Sequence, residues 1–284
     1  DETKPAWLDL PEIVPYVCAR WENRIPNSGL RHRFSWFNRP PLMIDPIRNA
    51  NLGFAELQMK LDQLTFGGGM QTPRWAFYDC GVMPGLITGF ACRWKALPKE
   101  IKKLYGDNMG QEWAPLSMFI VIPSVARGEW MAHNLCSINK AIDSNLRYKG
   151  LGFLSKAFGL WYANIDHLYG VTQWDSPALK LHANFGEFEL VTTYTPVHTY
   201  ATSVTYRSRV DTATWRRIFT KDMSDDIFQI RYREAGLELD PRNIDGLKDI
   251  QSRLERDEGP FFLSGSEVLQ KDIGEKLTLY VSRS

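Results

Sequence analysis

A surplus of charge of either sign is missing from this chain: 34 Lys and Arg stand against 33 Asp and Glu. Wholesale electrostatic binding to nucleic acid needs a basic excess, so it is not indicated, although a local basic face is left open. Long apolar runs are missing too. The longest obvious one, Met118 to Ile122, suits a buried strand and falls far short of the roughly 18 residues of a membrane helix. The first residues, Asp-Glu-Thr-Lys-Pro-Ala-Trp, carry neither the basic start nor the apolar stretch of a signal peptide. Cysteine is sparse. Cys18, Cys80, Cys92 and Cys136 are widely spaced and form no C-x-x-C pair, which excludes a zinc motif. Isolated cysteines of this kind fit free thiols in a reducing, cytoplasmic setting. There is no internal repeat and no low-complexity tract.

Aromatic side chains are abundant. Phe, Tyr and Trp supply 15, 11 and 10 of the 284 residues. With the charges nearly balanced, this composition excludes disorder for most of the chain. The length is enough to bury a sizeable core as one large domain, or one domain with an appendage. The tryptophans read as large core fillers, with lining of a ligand groove as the sharper alternative.

Periodicity divides the chain into three stretches. Residues 1–73 read as an N-terminal extension of short helices and loops. Apolar Ile13, Val14, Val17, Cys18 and Trp21 have helical spacing. Leu52, Ala55, Leu57 and Leu61 repeat the signal less cleanly. Gly67-Gly68-Gly69 then marks a joint. Residues 74–206 read as an α/β core, with strands predicted at 75–79, 86–94, 116–123, 129–142, 168–174, 187–194 and 200–207. Within it, Leu154, Ala157, Phe158, Trp161 and Ile165 share one helical face. A shorter helix is predicted from Pro177, with Ser176 as its N-cap. Residues 207–284 read as a helical accessory region, with Ile244, Leu247, Ile250 and Leu254 on one face.

Arg147-Tyr148-Lys149-Gly150-Leu151-Gly152 lies between a predicted strand and the longest clear helix. Glycines there let the backbone turn sharply and approach a ligand closely. The following helix aims its free N–H groups and the positive end of its dipole at the loop. Successive amides in such a turn form an anion-binding concavity. A phosphate or pyrophosphate site is therefore expected, against the blander reading of a tight turn. It is not a Walker loop, because no Gly-Lys-Ser/Thr follows, and it is a poor dinucleotide fingerprint.

A second element lies beyond one helix and one strand: Ala178-Leu179-Lys180-Leu181-His182-Ala183-Asn184-Phe185-Gly186. Taken together, the two resemble the GNAT superfamily of acyltransferases. That family's Gln/Arg-x-x-Gly-x-Gly/Ala motif matches Arg147, Gly150 and Gly152. Its later pattern, Ala-x-x-Leu-Tyr-x-x-x-Gly-Phe, is met at Ala178, Leu181 and Gly186, with His182 in the Tyr position. Ile142 and Leu146 fit the apolar approach to the loop, where Ser144 replaces the usual Pro. The resemblance covers roughly residues 75–206.

It implies an α/β fold with a mixed, mostly antiparallel sheet, splayed open where acyl-CoA lies. The amides from Leu146 through Arg147, Tyr148, Lys149, Gly150 and Leu151 to Gly152 would hold the pyrophosphate. The main chain of Lys140 to Ile142 would pair with the pantetheine like an added strand. Asp175 stands where the family often has an Asn that touches the pantetheine. A neutral amine would attack the thioester, and His182 would give the leaving thiolate its proton. Candidates for the base are Glu129 and His133, with Asp143 further on. Each also has a plain reading as a surface or hydrogen-bonding residue.

Residues 20–48 hold Arg20, Arg24, Arg31, Arg33, Arg39 and Arg48, interleaved with Trp21, Phe34, Trp36 and Phe37. Basic residues grip phosphates and aromatics stack on bases, whereas a solvated face with core-directed aromatics is the plainer reading. Three function classes follow. The first is a CoA-dependent N-acyltransferase acting on a small amine. The second is the same chemistry on nucleic acid or protein, resembling the acyltransferases some bacteriophages use to modify DNA. The third is a non-catalytic binding protein of the same fold. Glycines that cost chain entropy argue against the third.

Overall fold

Strands buried on both faces carry the first half of the chain. The computed structural model describes residues 4–20, 35–37, 39–67 and 69–283, and divides into two units, Asp1–Ile165 and Asp166–Ser284. In the first unit the strands are β1 (Ile13–Cys18), β2 (Leu42–Ile44), β3 (Leu86–Arg93), β4 (Trp113–Pro115), β5 (Ser117–Pro123) and β6 (Glu129–Ser137). Their order is β6-β5-β3-β1-β2, with β4 also on β3. Only the β1–β2 pair is parallel among these. The helices are α1 (Leu52–Thr65), α2 (Arg74–Ala76), α3 (Lys99–Tyr105) and α4 (Leu151–Tyr162).

The helix expected near residues 11–21 is instead β1. Nearly all of β1 is buried, so apolar residues occur on both faces and mimic a helical period. Its Ile and Val side chains favour the extended backbone. The strand expected at 75–79 is α2 running into a π-helical turn, Phe77–Val82. Pro73 is suited to open such a turn, and its carbonyl accepts the Phe77 N–H at 3.0 Å. The long strand expected to reach residue 142 stops at Ser137. The Ser137 hydroxyl accepts the Asn139 N–H, starting a 3-10 turn over Ile138–Lys140.

Helix α4 lies close against the sheet through small residues one turn apart. Ser155 Oγ is 2.6 Å from the Ser117 hydroxyl on β5. A Cβ on Gly159 would come within 2.6 Å of the Phe119 ring and of Thr88 Oγ1. Phe158 on the same helix packs with Phe37, Phe90, Trp161 and Tyr162. Burying such rings stabilises the unit by about 2–3 kcal/mol each.

The second unit has strands β7 (His167–Gln173), β8 (Phe188–Thr192), β9 (Ser203–Arg209), β10 (Tyr232–Leu239), β11 (Phe262–Leu263) and β12 (Leu277–Ser282). Their order is β7-β9-β8-β11-β12-β10 and these pairs are antiparallel. The helices are α5 (Pro177–Ala183), α6 (Thr212–Thr220), α7 (Asp226–Arg231), α8 (Ile244–Glu255) and α9 (Gly265–Gln270). Ser176 caps α5 through its hydroxyl, as its sequence position predicts. Trp174, Phe188, Tyr206, Leu247, Leu263 and Leu279 share one core. The last stretch is thus not only helical. It contributes three strands, and β11 pairs directly with β8.

Each unit is mixed α/β with an open, mostly antiparallel sheet and flanking helices, the fold class expected. Among the described residues no helix is long and apolar enough to cross a membrane. The four cysteines are free thiols.

Candidate functional site

The loop after β6 is fastened from two sides. The Asn139 amide donates to the Tyr148 carbonyl at 2.7 Å and accepts the Tyr148 N–H at 2.9 Å. The Trp7 indole N–H donates to the Lys149 carbonyl at 2.9 Å, and its ring meets Tyr148 edge-on. Gly150 then turns with φ +74°, the left-handed region, and serves as N-cap of α4. A Cβ there would meet nothing within 4 Å, so glycine is required by backbone conformation and not by space. Leu151 is buried and anchors the first turn of the helix.

This leaves the N–H groups of Lys149, Gly150 and Gly152 without a main-chain acceptor among the described residues. They lie at the head of a 12-residue helix, where the dipole adds to their pull on an anion. The Arg147 and Lys149 side chains are exposed beside them. An amide cradle of this kind fits a pyrophosphate. Leu146 is half-buried, Ile142 buried and Lys140 exposed. Because β6 ends at Ser137, Lys140 to Ile142 does not present the extended edge expected for a pantetheine chain. Ala141 instead donates back to Ile138 at 2.9 Å.

Strand β6 carries a bulge. Ile120 of β5 is opposite Asn134 and Val121 is opposite Ala132, so His133 is the extra residue. Bulges re-aim a side chain and often neighbour active sites. His133 is exposed, yet loss of hydration holds its imidazole below the ordinary value, with Asp62 pulling it back up. A neutral imidazole able to accept a proton is the result. Glu129 is half-buried at the start of β6, and Asp143 is exposed beyond the strand's end.

The second unit holds His182 and Asp175. His182 is buried on α5, its ring 5.5 Å from that of Tyr206. Asp175 is exposed between β7 and α5. Trp174 beside it is a core filler whose indole N–H donates to the Thr193 carbonyl at 3.0 Å.

Four residues that sequence reasoning passed over stand out. Trp7 and Asn139 hold the loop, and only their distant partners reveal it. Asp62 is fully buried on α1. Lys156 on α4 is also fully buried, and burial drops its ammonium to about 7. A signal for Lys156 was present, since it lies in a helix that is apolar nearly all round.

Much of the basic stretch, including Arg24, Arg31 and Arg33, lies outside the described residues. Of the remainder, Trp36 and Phe37 are buried, with Phe37 against Phe158. Arg39 donates to the carbonyls of Asp9, Leu10 and Ile13, and Arg48 pairs with Asp45. Those aromatics and arginines are committed to packing and to holding the chain. Among the described residues no three His, Cys, Asp or Glu are grouped to hold a metal ion.

No family model matches the chain. No curated protein matches it either. Solved structures similar to it include the ribosomal-protein-S18-alanine N-acetyltransferase of Escherichia coli, at 11% identity and TM-score 0.38, covering 58% of this chain and 91% of that one. The NatC complex bound to Gag peptide and CoA is similar at 12% identity and TM-score 0.36, over 59% of this chain and 96% of that one. Nourseothricin acetyltransferase follows at 10% identity and TM-score 0.31, over 45% and 67%.

Proposed function

We propose that the chain is a CoA-dependent N-acyltransferase, passing an acetyl-type group from acyl-CoA to a primary amine by direct transfer. The observation that carries this reading is the loop at 147–152. There, left-handed Gly150 opens α4, and among the described residues the amides of Lys149, Gly150 and Gly152 have no main-chain acceptor. Acyl-CoA supplies an activated thioester carbonyl. The loop amides hold its pyrophosphate, with the Arg147 and Lys149 side chains adding charge. Tyr148, Leu146, Leu151 and Ile142 shape the loop, and Asp175 stands at the pantetheine-side position of the family pattern, where it departs from the usual Asn. Strand-like pairing with the pantetheine falls to β6 itself, ahead of the turn that carries Lys140.

His133 accepts the proton of the incoming ammonium, with Glu129 the other candidate on β6. The neutral amine then forms the new C–N bond as the C–S bond breaks. A main-chain N–H at the bulge faces the developing negative charge. The nitrogen gives up its second proton as the amide forms and the leaving sulfur takes one up, a proton that the family position would have His182 supply. Four free thiols suit a reducing, cytoplasmic setting. A small-molecule amine is the leading acceptor class, with an amino group on nucleic acid the second.

Calorimetry with acetyl-CoA tests the reading. Low-micromolar binding by the parent, weakened at least about tenfold in Gly150→Trp, is expected, a loss of ~1.4 kcal/mol or more. No binding of acetyl-CoA or longer acyl-CoAs by the parent overturns it.

A further inference from the structure

Helix α1 has two fully buried polar residues one turn apart, Gln58 and Asp62. Gln58 donates to the Tyr16 hydroxyl at 3.3 Å and accepts from Cys18, which explains it as a core hydrogen-bond bridge. Asp62 is different, because its partners lead to the bulge. Its Oδ2 accepts the Thr72 N–H at 2.6 Å, and its Oδ1 accepts the Thr72 hydroxyl at 3.1 Å. The same Oδ1 accepts the Asn134 side-chain amide and the Cys136 thiol. All of these partners donate, which suits the acceptor-only inventory of a carboxylate. Asn134 also donates to Thr72 Oγ1 at 2.9 Å. One carboxylate thus joins the segment after the glycine joint to the residue next to His133.

We propose that Asp62 is a positioning residue for acyl transfer, fixing the β6 bulge and the segment at Thr72 while stabilising the imidazolium that forms on His133. The proposal rests on the acyltransferase reading above. The protons balance: the acceptor ammonium loses one to His133 before attack, the nitrogen loses its second as the amide forms, the leaving sulfur takes one up, and the buried negative charge offsets the positive charge that appears on His133. Around His133, β5 bears no charged residue. Helix α1 also carries Glu56 and Lys60, the turn after β6 carries Lys140, and α4 carries Lys156. Strand β6 itself carries Glu129, and of these groups Asp62 is the one whose charge favours the protonated imidazole. Removing a buried acceptor that serves Thr72 and Asn134 also leaves their donors unmet, so packing and electrostatics fail together.

The test follows the His133 imidazole by NMR through a pH titration, assigned with His133→Gln, in the parent and in Asp62→Asn. The midpoint is expected to fall by roughly half a pH unit or more when the charge is removed. A merely structural role would leave it in place, so an unmoved midpoint in a folded variant overturns the proposal. Should Asp62→Asn fail to fold, Asp62→Glu keeps the charge and displaces it by one methylene. A moved midpoint there supports the proposal and an unmoved one overturns it. Acetyl-CoA calorimetry on the same samples separates the two readings. Asp62→Asn is expected to retain measurable acetyl-CoA binding, since its printed partners are Thr72, Asn134 and Cys136 and not the loop amides. Absence of acetyl-CoA binding in the parent overturns the acyltransferase reading, whatever the titration shows.

Discussion

Gly150 isolates a backbone effect from a packing effect. With φ +74° and open space around it, Gly150→Ala adds no clash and forces an L-residue into the left-handed region. The expected cost is about 1 kcal/mol, read from denaturant unfolding. Lys156 isolates a solvation effect. Burial holds its ammonium at about 7, against 10.5 for an ordinary lysine. Between those values the unfolded chain carries a proton that the folded chain does not. Stability from this group therefore rises with pH across that window and is flat below it. Lys156→Met removes the titrating group, so the difference in stability between parent and variant should change with pH from 7 to 10. A constant difference would show that Lys156 is charged in the folded protein.

At the scale of elements, α4 ties the candidate loop to the sheet. Its closeness to β3 and β5 depends on Gly159, where an added Cβ would meet Phe119 and Thr88 at 2.6 Å. Both neighbours are fully buried and cannot swing aside. Gly159→Ala gains about 1 kcal/mol of helix propensity, but overpacking of this kind costs ~1–3 kcal/mol. Net destabilisation is expected, together with weaker acetyl-CoA binding if the helix head shifts. The pattern of α4 is legible from apolar residues recurring at helical spacing, and those of α5 and α8 from an apolar stripe with a capping side chain. Helix α1 was less clear because its buried face includes Gln58 and Asp62. Strand β1 was misread because burial on both faces removes the alternation that marks a strand.

At the scale of the molecule, the divisions drawn from periodicity cut through sheets. The boundary at residue 73 separates β1 from β3, which pair from Ile13–Cys92 to Cys18–Ile87. The boundary at residue 206 falls inside β9 and removes β10, β11 and β12 from the second unit. A chain ending at residue 206 loses the β11 partners of Phe188 and Glu189, together with Leu247, Leu263 and Leu279 from the shared core. It is expected to aggregate or to lose cooperative unfolding, as seen by solubility and circular dichroism. An accessory region would leave the remainder folded.

The sequence by itself determined the local features whose causes are local. A glycine turn, a Pro with a Ser cap, and apolar stripes at helical spacing each act within a few residues, and they placed the loop and the helices around it. It also carries the two motifs on which the proposed acyltransferase function rests. Tertiary structure alone decided what joins distant residues: Trp7 and Asn139 on the loop, the extra residue at His133, and the Asp62 carboxylate bonded to Asn134 next to it. Those contacts link residues as far apart as Trp7 and Lys149, separated by 142 positions. Hydrogen-bond partners at such separations leave no period in the chain, because they are selected by packing of the sheet and not by the neighbouring sequence.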